Sequence, residues 1–161
     1  MIRNTTKNQK LGWVLFISYL VLLVYFLFFA ESMGRTQTQE EYSYNLKLFK
    51  EIKRFYNYRN QVGIEAFVLN VFGNVAAFIP CGFFLPIISR RCKRWYNTIL
   101  ISFLFSLSVE LIQLVSKVGS FDVDDLLLNT LGGILGFILY KLIQTCRIRR
   151  RRRAKAETQT E

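Results

Sequence analysis

The sequence predicts an all-α integral membrane protein: four transmembrane helices, an extracytoplasmic amphipathic segment after the first, and a proline-kinked second helix. Three observations lead there. The 161-residue chain is 52% hydrophobic and 16% aromatic. Its apolar residues gather into four runs, each near the roughly 20 residues that a helix needs to cross a bilayer. Lys and Arg crowd some of the flanks between these runs and are sparse in another, as topology signals do.

The first run, residues 11–30, follows Arg3, Lys7 and Lys10. Phe28-Phe29-Ala30-Glu31 lacks a small-x-small cleavage pattern, so it reads as an uncleaved anchor rather than a secretory signal. Residues 31–41 are polar and read as loop. In the basic, aromatic stretch over 42–59, Leu48, Ile52, Phe55 and Tyr56 fall on one helical face. That pattern predicts an amphipathic helix lying in the outer interface or packed on the helix tops.

The second run, 66–88, holds both prolines, Pro80 and Pro86, with Gly73 and Gly82. Proline removes a backbone hydrogen bond, so a bend or break is expected here. The third run is 97–116 and the fourth 124–144. Residues 1–144 form one membrane domain, and 145–161, with the run Arg147–Arg153, form a basic cytoplasmic tail.

Orientation follows from the short flanks. The loop over 89–96 carries Arg90, Arg91, Lys93 and Arg94, whereas the loop over 117–123 carries only Lys117. A plasma-membrane protein with both termini cytoplasmic is the expectation. The longer first loop is basic but crosses with less regard to charge. Cys81, Cys92 and Cys146 then lie in a helix or on the reducing side, where no disulfide is expected. The chain has no histidine, which excludes His-dependent triads, HExxH zinc chemistry and haem attachment.

Glu110 is the one ionisable residue between Asn97 and Ser116. A carboxylate at bilayer depth costs about 2.5–3.5 kcal/mol on insertion scales, so it faces a protein interior or a wet cavity. Ser102, Ser106, Glu110, Gln113 and Lys117 fall within roughly 80° of one another on their helix. The second run has a matching stripe of Asn70, Gly73, Asn74, Ala77 and Cys81; the fourth has Asp122, Asp125, Asn129, Gly132, Gly136 and Tyr140. At about 1.5 Å per residue, Asn70, Asn74, Glu110, Gln113, Asp122, Asp125 and Asn129 all fall in the outer half of the membrane. They are the expected ligand-binding residues, gathered around Glu110. Asn and Gln also serve as helix-to-helix glue, Gly132-x-x-x-Gly136 is a close-packing motif, and Asp122 is placed to cap a helix.

Three blocks resemble the VanZ family: LNVFGNVAAFIPCGFFLP (69–86), SLSVELIQ (106–113) and FDVDDLLLNTLGGILGF (121–137). With YNLKLFKEI upstream, the likeness covers roughly residues 44–140. It implies functional weight at Asn70, Asn74, Pro80, Gly82, Glu110, Gln113, Asp122, Asp125, Asn129 and Gly132, and an association with low-level teicoplanin resistance. Two positions depart from the pattern. Leu48 stands where members often carry proline in N-L-x-P-F, and no arginine precedes Phe121.

Resemblance and stripes together suggest an outer polar site that engages a membrane lipid, a lipid-linked cell-wall precursor or a lipoglycopeptide, with no cofactor, metal or nucleic-acid partner. Two other classes are compatible. One is an intramembrane enzyme pairing Glu110 with Asp122 or Asp125, as acid and base or as ligands for a hard cation. The other is a small transporter or assembly subunit, which four helices without a repeat suit less well.

Overall fold

A computed structural model describes residues 7–29, 42–57 and 64–158. The expected loop over 31–41 and the end of the expected amphipathic segment at 58–59 lie outside the described residues. Helices α1 (Lys7–Phe29), α3 (Ile64–Ile88), α4 (Trp95–Ser116) and α5 (Val123–Glu157) are long and apolar enough to cross a membrane. Between them lie β1 (Tyr44–Asn45), the short α2 (Lys50–Asn57), a 3-10 turn at Arg91–Lys93 and β2 (Phe121–Asp122).

The four predicted spans coincide with α1, α3, α4 and the first part of α5. Two features differ from expectation. Helix α5 does not stop near 144 but continues through the arginine run to Glu157, 35 residues in all. No glycine or proline follows Gly136 within it, and Arg, Lys and Ala are good helix formers. At 1.5 Å per residue it is about 52 Å long, well beyond a hydrocarbon core of about 30 Å.

The second difference is the amphipathic stretch, where only Lys50–Asn57 is helical. Residues 44–45 instead pair in parallel with 121–122, and Phe49 adopts a left-handed backbone with φ of 60°. A non-glycine residue there interrupts any helix running through it. Of the expected apolar face, Leu48 and Tyr56 are exposed.

Pro80 and Pro86 both lie inside α3, which is unbroken as a helix from Ile64 to Ile88. Pro80 lacks the N–H that would reach back to the Ala76 carbonyl. One residue on, the Ala77 carbonyl accepts a hydrogen bond from the Tyr19 hydroxyl at 2.8 Å, which ties α1 to this stretch. Around that tie Leu23, Leu27, Phe78, Cys81 and Val109 form the buried apolar core, with Phe105 packed on Phe78.

The most extensive interface is between α3 and α5. Glycine makes it possible. A Cβ on Gly132 would sit 2.2 Å from the Val75 carbonyl oxygen, and one on Gly136 would sit 2.0 Å from that of Ile79. The two contacts advance by four residues on both helices, so α3 and α5 run parallel. Gly82 closes the same seam, since its Cβ would fall 1.8 Å from the Gly133 oxygen. In a membrane, where lipid is as apolar as leucine, such backbone proximity supplies the packing that holds helices together.

Gly136→Val therefore forces the helices apart. Overpacking of this kind costs about 1–3 kcal/mol or more, read as a lowered unfolding temperature in detergent. Gly73→Ala is the matched control, because a Cβ there meets nothing within 4 Å, and it is expected to leave stability unchanged or slightly raised.

Candidate functional site

Helix α4 turns its polar stripe inward. Thr98, Ser102, Ser106, Glu110 and Gln113 are all buried, the first three completely. The hydroxyls of this ladder find partners: Thr98 donates to the Cys92 carbonyl at 2.6 Å, and Ser102 lies 4.0 Å from the Cys81 sulfur. The stripe faces α3 and α5 because the glycine seam leaves room for small polar groups. A Cβ on Gly133 would collide with Ser102.

At the end of the bundle where α4 stops and α5 starts, the carboxylates converge. Lys117 ends α4 in a left-handed conformation, its N–H donating to the Leu114 carbonyl. The chain then turns through β2 into α5. Glu110, 2% exposed, accepts the Asp122 backbone N–H at 3.0 Å. The Asp122 carboxylate caps α5 by accepting from the Asp124 N–H at 2.8 Å, and the same oxygen accepts from the Asn45 amide at 3.2 Å. Asp124, fully buried, accepts the N–H of Phe49. Glu110, Asp122 and Asp124 thus form a clasp that draws the 42–49 segment onto the helix ends. The Lys117 ammonium over the Tyr42 ring adds a further tie.

The remaining predicted residues occupy the flanks of this clasp. Asn74 donates to the Asp125 carboxylate, joining α3 to α5. Asn70, one turn earlier, is partly buried and makes no hydrogen bond with these groups among the described residues. Gln113 donates to the Leu27 carbonyl at 3.3 Å, tying α4 to the end of α1. Asn129 donates to the Ser106 hydroxyl at 3.0 Å, one turn below Glu110. The Asn129 amide oxygen is buried and has no hydrogen-bond partner among the described residues.

Asn45 and Asp124 were not among the residues selected from sequence. Asn45 sat in a stretch that reads as amphipathic helix, where a lone asparagine has no obvious task. Its signal is its place at the head of N-L-x-L-F, the block that matches the family's N-L-x-P-F. Asp124 reads as one of several acids in a first helical turn, and only the fold shows that it reaches Phe49.

This arrangement can hold backbone amides and offer acceptors. No group of three or more His, Cys, Asp or Glu converges as a metal-binding set among the described residues. Asp122 is already occupied in capping and in holding Asn45, so its pairing with Glu110 as acid and base gains no support from the geometry.

Asn45→Ala removes the donor to Asp122 and frees the 42–49 segment. Deleting one partner of a buried hydrogen bond costs about 1–3 kcal/mol. Faster tryptic cleavage at Lys47 and a lowered unfolding temperature are expected, while Tyr44→Ala, whose side chain is exposed, leaves both near wild type.

The VanZ/LLP1 family model matches residues 16–144, from within α1 to the point where α5 leaves its apolar part. No curated protein and no solved structure matches the chain. With four helices able to span a bilayer and a family match over most of its length, the chain is a multi-pass membrane protein that belongs to the VanZ/LLP1 family.

Proposed function

We propose that this protein alters glycopeptide (teicoplanin) susceptibility by binding an envelope amphiphile at its carboxylate-rich end, oriented outward in the plasma membrane with both termini cytoplasmic. The ligand class is a lipid-linked cell-wall precursor or a lipoglycopeptide. The observation that carries the reading is the Asn129 amide oxygen, buried beside Ser106 without a partner among the described residues. An unsatisfied buried acceptor costs about 1–3 kcal/mol, and native proteins retain few of them.

The chemistry around it is one-sided. Asp125, bonded to Asn74 of α3, lies one turn nearer the start of α5, and Glu110 lies one turn beyond Ser106 on α4. A head group rich in amide, hydroxyl or ammonium donors complements such a set, and an apolar chain suits the helix faces that meet lipid. A simple anion does not fit. The clasp of Glu110, Asp122 and Asp124 then acts as the rigid wall of the site, while Asn129 and Asp125 supply acceptors to the ligand.

This division of labour makes a test that separates binding from folding. Asn129→Leu removes the orphaned acceptor, and Ser106 can bond its own helix instead. The purified variant is therefore expected to unfold within a few degrees of wild type. Cells expressing it are expected to lose whatever teicoplanin tolerance the wild-type protein confers, and Asp125→Asn to reduce it in part. Full tolerance in cells carrying well-expressed Asn129→Leu would refute the assignment.

A further inference from the structure

A cavity of about 510 Å³ lies at the opposite end of the bundle, between the start of α1, the end of α3 and the middle of α5. Its size falls in the range of roughly 300–1,000 Å³ typical of small-molecule sites. The walls are apolar, with Leu15, Phe84, Ile87 and Ile143 among them. The mouth is cationic: Arg90, Lys93 and Arg147 line it, and among the described residues no Asp or Glu does. These cations come from two separate parts of the fold: Arg90 caps the 3-10 turn that ends at Lys93, and Arg147 lies on α5. No ion pair joins any of them to a carboxylate among the described residues.

We propose that this groove is a binding site for an anionic phospholipid, with the phosphate held among Arg90, Lys93 and Arg147 and one acyl chain laid along Leu15, Phe84 and Ile143. Basic pockets between transmembrane helices recognise anionic head groups in this way. A flank serving topology alone needs only positive charge near the helix ends. Here three cations surround the mouth of one apolar cleft, whereas the later arginines of α5, from Arg149 to Arg153, line no part of it. That convergence favours a held lipid over diffuse attraction to an anionic surface. The site is separate from the carboxylate-rich end and stands or falls independently of it.

Native mass spectrometry of the full chain, released from detergent with phosphatidylglycerol or phosphatidylcholine added at equal concentration, tests the assignment. Phosphatidylglycerol is expected to be retained over phosphatidylcholine by roughly tenfold or more. The combined change Arg90→Gln, Lys93→Gln and Arg147→Gln is expected to abolish that preference, with Arg91 and Arg94 left to maintain the basic loop. Arg150→Gln with Arg151→Gln and Arg152→Gln removes the same charge outside the cleft and is expected to preserve it. Leu15→Trp narrows the cleft without altering charge and is expected to lower retention.

Equal retention of the two lipids would overturn the proposal. So would a tail variant that loses as much as the rim variant, or complete displacement of the lipid by millimolar inorganic phosphate. Unchanged retention in Leu15→Trp would also overturn it, by showing that the chain lies elsewhere. If the rim variant fails to fold, the lipid preference of the wild type and the response of Leu15→Trp still decide the matter.

Discussion

A carboxylate inside an apolar bundle must be given donors, and the hydrogen bond from the Asp122 backbone to Glu110 organises what surrounds it. It fixes the end of α4 to the first residues of α5, so that the Asp122 side chain caps α5 and meets Asn45. Asp124, one turn-step further, reaches the backbone of Phe49. Each acid satisfies an amide that would otherwise be left without a partner at a helix end or a loop. The acidic end of the protein is therefore primarily a device for closing the bundle, and the ligand binding proposed for it rests on the groups left over, above all Asn129.

The glycine seam sets the scale of this arrangement. Because Gly132 and Gly136 admit the carbonyls of α3, the two helices lie close enough for Asn74 to reach Asp125, and for Ser106 on α4 to reach Asn129. Small hydroxyls on α4 fit against Gly133 where larger side chains would not. Packing and polar satisfaction are thus the same problem in this protein. Any residue that separates α3 from α5 also breaks the contacts that keep polar groups away from lipid.

Much of this was legible in the sequence. Run length and composition located all four long helices, and the 100° periodicity of α4 placed Ser102, Ser106, Glu110 and Gln113 on one buried face. What periodicity could not supply was which polar group meets which. Asn74 was expected beside Glu110 and is bonded to Asp125, because the relative height of α3 and α5 is set by glycine contacts that a single helix does not encode. The amphipathic reading of 42–59 failed at Asn45 and Phe49. Both are held by residues about 75 positions away, a distance over which local pattern carries no information. The continuation of α5 past 144 was hidden for a simpler reason: the end of an apolar run marks where lipid stops, not where a helix does.

The pairing of Tyr44–Asn45 with Phe121–Asp122 has a consequence for biogenesis. Parallel strands require a crossover, and here the crossover runs through α2 and then the two long helices α3 and α4. During synthesis Asn45 leaves the ribosome long before Asp122 exists, so this bridge closes only after the intervening hairpin has inserted. It closes only if the hairpin has returned the chain to the side where Asn45 is waiting. A hairpin in which one of the two helices failed to cross would strand the two halves across the bilayer from each other. The two-residue strand is in this sense a latch that registers correct insertion of the α3–α4 hairpin.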